Sequence, residues 1–333
     1  MSRFQISVAD TVPDSLVLLA QADGCTAPTS ILAPSLKRYW MSAFIENYGH
    51  SYNLSTAMVS ENHNPRLFAS LEWAGRDSVT FAGDGTADYS DFLWNEVNID
   101  VLSTFVEHLI SRGARKITLS RLPYDSLSVP LLRSAGEHLG LCASIEEIDA
   151  LPFIEVDGRY PVEQWRGVRA EGIEELKSKL RSLSTRFAVD VSLSHSESEI
   201  EADLSSMMAM HIERWACRGM RSKFTGEARR KFTKQICQEA LRLDELFMVS
   251  LRIDNTLAAY KIAFRGGDTI FEWVISFNLA FKKWSPGALL MYLVLLGADE
   301  FQFKRYDLMR GTEPYKLNWT QKTRRNLRVT LTR

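Results

Sequence analysis

The chain has 333 residues, 45% of them apolar and 24% charged, which excludes an intrinsically disordered protein, and its 18 glycines and 10 prolines exclude a fibrous repeat. That length supports two domains with substantial cores. The net charge of −1 hides a split: residues 1–160 carry 11 basic and 20 acidic side chains, a net of −9, while residues 161–333 carry 29 and 21, a net of +8, so the second half is the one suited to an anionic ligand.

Patterning excludes further classes. The longest nearly unbroken apolar run, Ala288 to Ala298, falls well short of the ~20 residues a bilayer span needs and predicts a buried core helix instead. Leu16 to Ala20 has the look of a short leader core, but Asp10 and Asp14 stand where a leader carries positive charge, which argues against secretion. Cys25, Cys142, Cys217 and Cys237 show no C-x-x-C spacing, so neither a metal site nor a disulfide framework is indicated, and a reduced cytoplasm is the expected setting.

In chain order, the first half opens with a strand over Phe4–Val8 and a helix through Ser35–Asn47, with Trp40, Phe44 and Tyr48 spaced by four. Strand patterns follow at Leu54–Val59, Arg66–Trp73 and Ser78–Ala82. A helix over Ile99–Arg112 ends at Gly113, Lys116–Ser120 is a strand, a helix over Val129–His138 stops at Gly140, and Ala150–Val156 is a closing strand. The second half begins near Asp157-Gly158, which divides the chain into domains 1–157 and 158–333. It predicts a helix Glu171–Leu183, a strand Ala188–Leu193 and helices Glu197–Cys217 and Gly226–Arg242. Strands Leu246–Arg252, Leu257–Arg265 and Thr269–Phe277 follow, joined by turns at Asp254-Asn255 and Gly266-Gly267-Asp268. A helix Pro286–Glu300 then precedes strands at Arg305–Met309 and Leu327–Leu331. The order of elements thus runs twice, and strands and helices do not alternate one to one, which gives a mixed α/β (α+β) sheet and not a Rossmann array.

Basic residues concentrate at Arg214, Arg218, Arg221, Lys223, Arg229, Arg230, Lys231 and Lys234, and in the stretch from Lys316 to Arg333, which has six basic residues and no acid. The segment Lys282-Lys283-Trp284-Ser285-Pro286-Gly287-Ala288 joins a hydrophobic strand to the most apolar helix. Ser285 suits an N-cap and Pro286 the first helical position, and Gly287 leaves the first turn bare, so a phosphate can approach unpaired backbone N–H groups with two lysines just upstream.

A strand leaving the middle of a sheet and feeding a bare-started helix resembles the pyrophosphate-binding step of the GNAT N-acetyltransferases, although of that family's glycine-rich loop only Gly287 is recognisable. Further motifs carry a closer resemblance. Tyr306-Asp307-Leu308-Met309-Arg310-Gly311, then Glu313-Pro314-Tyr315-Lys316 and Trp319, resembles the ending of the CelD/BcsL-type acetyltransferases of cellulose and exopolysaccharide biosynthesis, relatives of the Fem peptidyltransferases. His211, Arg214-Trp215, Arg218-Gly219 and Ser222-Lys223-Phe224 fit the same branch, as do Gly83-Asp84, Asp88-Tyr89 and Phe92. The resemblance implies two tandem GNAT-like domains, each a mixed, mostly antiparallel twisted sheet flanked by helices, with the C-terminal one holding the acyl donor.

It also implies roles. Lys316 is the first candidate to stabilise the developing oxyanion or hold a phosphate, and Tyr315 to protonate the departing thiolate; Asp307, Glu313 and Glu272 are the candidate orienting and basic carboxylates. Lys282, Lys283, Ser285, Pro286, Gly287 and Ala288 would hold the donor. His211, Arg214, Trp215, Glu272, Trp273, Asp88 and Tyr89 are drawn toward the substrate, while a backbone N–H around Val274–Phe277 would polarise the carbonyl. The function implied is an N-acyltransferase that uses acyl-CoA as co-substrate, has no permanently bound cofactor and acts on an amino sugar, amino acid or small metabolite. Two alternatives are an aminoacyl-tRNA donor, as the Fem relatives use, and a degenerate GNAT scaffold serving as a binding subunit.

Overall fold

The computed structural model describes residues 3–156 and 170–333. The chain divides into two compact units, Met1–Ala150 with Arg324–Arg333, and Leu151–Thr323. The junction expected at Asp157-Gly158 lies outside the described residues.

In the first unit, β1 (Gln5–Ala9), β2 (Leu54–Glu61), β3 (Asn64–Trp73), β4 (Ser78–Phe81) and β6 (Lys116–Pro123) lie side by side in that order. All pair antiparallel except β4 with β6. The β2–β3 hairpin turns on Asn62-His63, whose φ values of 50° and 65° give the left-handed pair that follows the strand twist. A short β5 (Leu93–Trp94) pairs with β3. Helices α1 (Val12–Gln21), α2 (Arg38–Tyr48), α3 (Ile99–Ser111) and α4 (Ser128–His138) complete this unit. Of these, α1 is absent from the sequence reading: the Leu16–Ala20 run lies inside it, with Leu18 and Leu19 buried and the Thr11 hydroxyl accepting the Asp14 N–H at its start.

β7 (Cys142–Glu155) begins well before the expected Ala150, because its first half is an acidic, half-exposed strand without apolar alternation. The basic stretch at the end of the chain forms β13 (Thr323–Thr332), which pairs antiparallel with β6 and so extends the first unit's sheet and not the second's. Two of its arginines are matched by β7 carboxylates, Arg328 with Glu146 at 3.5 Å and Arg325 with Glu147 at 4.0 Å.

The second unit contains α5 (Ala170–Ser184), β8 (Val189–Leu193), α6 (Glu197–Ala216), α7 (Glu227–Arg242), β9 (Leu246–Ile253), β10 (Thr256–Gly266), β11 (Thr269–Phe277), α8 (Pro286–Leu296), β12 (Arg305–Asp307) and α9 (Pro314–Leu317). Its strands run β8-β9-β10-β11-β12, with Phe153–Glu155 at the end of β7 on the outer side of β12. The order strand, two helices, three antiparallel strands, helix, strand, helix, strand thus occurs in β1 to β7 and again in β8 to β13, which is the repeat legible in the sequence. The two closing strands are exchanged: β7 ends on β12 in the second unit, and β13 pairs with β6 in the first.

α8 is apolar on every face because it is buried on nearly all of them, with Leu289, Leu290, Met291, Val294 and Leu295 in the second core. It stops at Leu296 and not Glu300, with Gly297 as its C-cap, where an added side chain would meet the Phe301 ring at 2.7 Å. No described helix is long and apolar enough to cross a membrane.

Candidate active site

The site begins with two strands that part. β11 and β12 are parallel and pair only from Thr269–Phe271 against Arg305–Asp307. There β12 ends: the Asp307 carboxylate accepts the Met309 N–H at 2.7 Å, and Met309 takes a left-handed φ of 60° that turns the chain away. β11 continues to Phe277 with one edge uncovered among the described residues. A bulge at Trp273, seen as a register jump from Ile262↔Val274 to Ala263↔Glu272, resets the side-chain alternation. Glu272 therefore shares a face with Ile275 and Phe277, while Trp273 turns the other way, between Phe232 and Phe264 with Arg229 over its ring at 4.5 Å.

Glu272, Ile275, Phe277 and Lys261 of β10 line a cavity of about 780 Å³. The other walls come from α5 (Ile173, Leu176, Lys179), α6 with its following turn (His211, Arg214, Trp215, Arg218), the start of α8, Leu308, Tyr315 and Trp319. That volume suits a small-molecule site.

The α8 end of the cavity gathers an amide unpaired in its helix and two lysines, although not with the cap the sequence suggested. Ser285 occupies the N-cap position but sits at φ 52°, ψ 52°, and its side chain makes no capping bond. Its hydroxyl instead accepts the Lys179 ammonium at 2.9 Å. Pro286 has no N–H, and Ala288 and Leu289 both donate to the Ser285 carbonyl, which leaves Gly287 as the first amide without a partner in the helix. Gly287 faces the cavity, with only ordinary contacts to Phe277 and Ile275 for an added Cβ, at 3.5 and 3.8 Å. Lys282 lines the same end, whereas Lys283 lies over the Trp284 ring at 5.0 Å. The corresponding helix start in the first unit has the opposite character. There the Asn98 side chain caps α3 by accepting the Asp100 N–H at 2.8 Å, and an acid occupies the first turn where a phosphate would lie.

On the sheet side of the cavity is a cluster that the sequence reading did not assemble. Lys261 forms an ion pair with Glu272, whose Oε2 also accepts the Tyr306 hydroxyl at 2.9 Å. Lys261 and Glu272 have side chains 1% and 3% exposed, so the pair lies fully inside the fold. The signal available was a lysine in the middle of the apolar strand Leu257–Phe264, a place lysine rarely takes without a partner.

Of the other candidates, Tyr315 and Glu313 line the cavity. Lys316 does not: it is buried, and its ammonium donates to the carbonyls of Arg310 (2.5 Å) and Met309 (3.4 Å) and pairs with Glu313 at 3.2 Å. Lys316 and Asp307 thus fix the turn that opens the notch, and neither they nor Trp273 are among the lining residues. Asp88 and Tyr89 belong to the first unit. Their backbone carbonyls accept the Asn326 amide and the Ser35 hydroxyl, each at 2.7 Å, and neither residue lines the cavity.

His211 lines the cavity and is bonded through Nδ1 to the Ser222 hydroxyl at 2.9 Å, stacked on Trp215 and edge-on to Phe224. Burial, with help from Lys223 and Arg214, pushes it down from 6.5 to about 4, so it is neutral at pH 7. The unfolded chain takes up this proton near 6.5 and the folded one only near 4, so stability is lost as pH falls through that window. Urea denaturation between those limits will show a shallower pH slope for His211→Gln, which keeps a partner for Ser222 but cannot titrate.

An open-edged strand, a bare helix start and a mixed sheet flanked by helices define an α/β protein of GNAT-like architecture in two tandem units. Residues 171–317, within the second unit, match the acetyltransferase (GNAT) domain family. No curated protein matches the chain. Among solved structures it is similar to a conserved protein of unknown function from Bacteroides thetaiotaomicron, at TM-score 0.62 and 13% identity over 99% of this chain and 100% of that one. It is likewise similar to FemX, at TM-score 0.59 and 9% identity over 97% and 96% of the two chains. The L-PGS of Bacillus licheniformis gives TM-score 0.55 and 11% identity over 80% and 81%. At these identities the likeness is one of fold.

Proposed function

We propose that the second unit transfers an acyl group from acyl-CoA to an amine, and that the chain is of the CelD/BcsL type and works in the cytoplasm, where that donor is found. The observation that carries this reading is the placement of the Gly287 amide, Lys179 and Lys282 in one cavity with the open edge of β11. The donor's phosphates lie against the bare start of α8, where the Gly287 N–H, the Lys282 ammonium and the Lys179 ammonium that Glu175 shares receive negative charge. Its thioester then lies along the uncovered edge of β11, where every second N–H between Val274 and Phe277 points away from β10 and polarises the carbonyl.

The amine nitrogen attacks the carbonyl carbon, the C–N bond forms and the C–S bond breaks. Glu272, held by Lys261 and Tyr306, takes the proton released by nitrogen. Tyr315 gives a proton to the departing thiolate and, at 42% exposure, regains one from solvent. Holding both substrates in one cavity supplies much of the acceleration.

The test is calorimetric titration with CoA, acetyl-CoA and longer acyl-CoAs, read beside the thermal midpoint. A donor at 100 times its Kd raises the stability of the fold by about 2.7 kcal/mol. No heat and no shift with any of them would reject the reading. The competing donor is aminoacyl-tRNA, which the Fem resemblance implies; a gel shift with charged tRNA, steeply weakened by salt, is its signature. The basic cluster is less available to RNA than its charge suggests. Lys231 pairs with Glu227, Lys234 pairs with Glu201, and Arg230 donates to the carbonyls of Phe224 and Thr225.

A further inference from the structure

The charges on the cavity wall do not cancel. Three carboxylates line it, and each already has a lysine: Glu175 has Lys179 at 2.5 Å, Glu313 has Lys316 at 3.2 Å, and Glu272 has Lys261. Arg214 and Arg218 line the same cavity, four residues apart across the end of α6, and among the described residues neither has a carboxylate within ion-pair distance. Lys282 is also unmatched among the described residues, but it lies at the α8 end that the donor's phosphates would take.

Arg214 is the better defined of the pair. Its guanidinium lies over the Phe277 ring at 4.2 Å, and its Nε is buried without a hydrogen-bond partner among the described residues. Burial and the neighbouring charge of Arg218 both disfavour its protonated form, a repulsion that a bound anion would relieve. Tyr315, the group proposed to protonate the thiolate, lines the same cavity and acts on Arg214 electrostatically. A planar fork with no acceptor among the described residues, held flat by an aromatic ring, matches the geometry of a carboxylate or phosphate.

We infer that Arg214 and Arg218 form an oxyanion subsite for the acceptor, so that the amine acylated here carries a carboxylate or phosphate group. This rests on the acyl-transfer reading and narrows its acceptor to anionic amines, with Trp215 and Trp319 flanking the body of the molecule.

The test titrates matched amines into the protein, with and without saturating CoA: L-lysine against cadaverine, and phosphorylated glucosamine against glucosamine. In at least one pair the anionic member binds ~10- to 100-fold more tightly, the range of a hydrogen bond to a charged group, and the pair that responds tells carboxylate from phosphate. Arg214→Gln removes that preference. So does Arg218→Gln, whose site is exposed on a turn and which keeps the test sound if the first variant folds poorly; both leave CoA affinity within about twofold. Equal binding of the members with and without the anionic group, or no binding of any anionic amine, overturns the inference. Loss of CoA affinity in either variant also overturns it, by giving the guanidinium groups to the donor, and leaves the acyl-transfer reading standing. Failure of that reading is seen separately, as an unsubstituted protein that does not bind CoA.

Discussion

Lys261→Ala will cost about 3–5 kcal/mol in urea denaturation, the range for removing one partner of a buried ion pair. The reason is the carboxylate left behind. Glu272 is 4% exposed, and without the ammonium it keeps only the Tyr306 hydroxyl, so a charge formed in water must be held where there is almost none. The paired change Lys261→Met with Glu272→Leu removes both charges and keeps the volume, and it will recover most of the lost stability. It leaves Tyr306 with an unsatisfied hydroxyl, for which Tyr306→Phe is the matching third change. The double variant also separates folding from chemistry. If Glu272 takes the amine's proton, the refolded protein will bind acyl-CoA and yet transfer ~10²- to 10⁴-fold more slowly, the usual worth of a positioned base. A double variant that is as active as the unsubstituted protein would make the pair a purely structural feature.

That pair shows where the sequence stops speaking. The β9–β10–β11 meander was legible because its turns are written in residue types. Asp254 and Asn255, at φ 46° and 62°, form a left-handed pair that these residues tolerate, and β-branched and aromatic residues alternate on either side. The bare start of α8 was legible for a similar local reason, Pro286 followed by Gly287. The bulge at Trp273 was not, since a one-residue insertion in one strand is a property of two paired strands and leaves no local mark. Without it, alternation puts Glu272 with Val274, away from Ile275 and Phe277, and the floor of the cavity cannot be assembled. The same distance limit applies to Lys316. A lysine beside a tyrosine near a cleft invites a chemical role, but whether its ammonium faces a ligand or the carbonyls of Met309 and Arg310 depends on a turn set by Asp307 seen only in three dimensions. The closing strands fail for a topological reason. Nothing within Leu327–Leu331 says that it pairs with β6, more than two hundred residues earlier in the chain and in the other compact unit from the residues just before it.

Gly287→Asp will abolish donor binding without weakening the fold, and the two effects pull in opposite directions for one physical reason. The first turn of α8 carries the positive end of the helix dipole and an N–H with no partner in the helix. An aspartate there supplies an anion of the protein's own, and the space exists for it, because an added Cβ meets only Phe277 and Ile275 at ordinary contact distances. Ser285 currently leaves this end uncapped, so the new carboxylate will add ~0.3–1 kcal/mol to stability and hold or raise the thermal midpoint. The backbone N–H at this position stays, but the new carboxylate competes for it and sets a like charge against the donor's phosphates. Losing one charge-assisted hydrogen bond of ~1.5–3 kcal/mol already weakens CoA ~10- to 100-fold, and the repulsion carries the loss past 100-fold. Gly287→Ala is the control: it fills the same space without charge, and its CoA affinity will fall far less. A Gly287→Asp protein that binds CoA as tightly as the unsubstituted one would move the donor's phosphates away from α8, and with them the thioester from the open edge of β11.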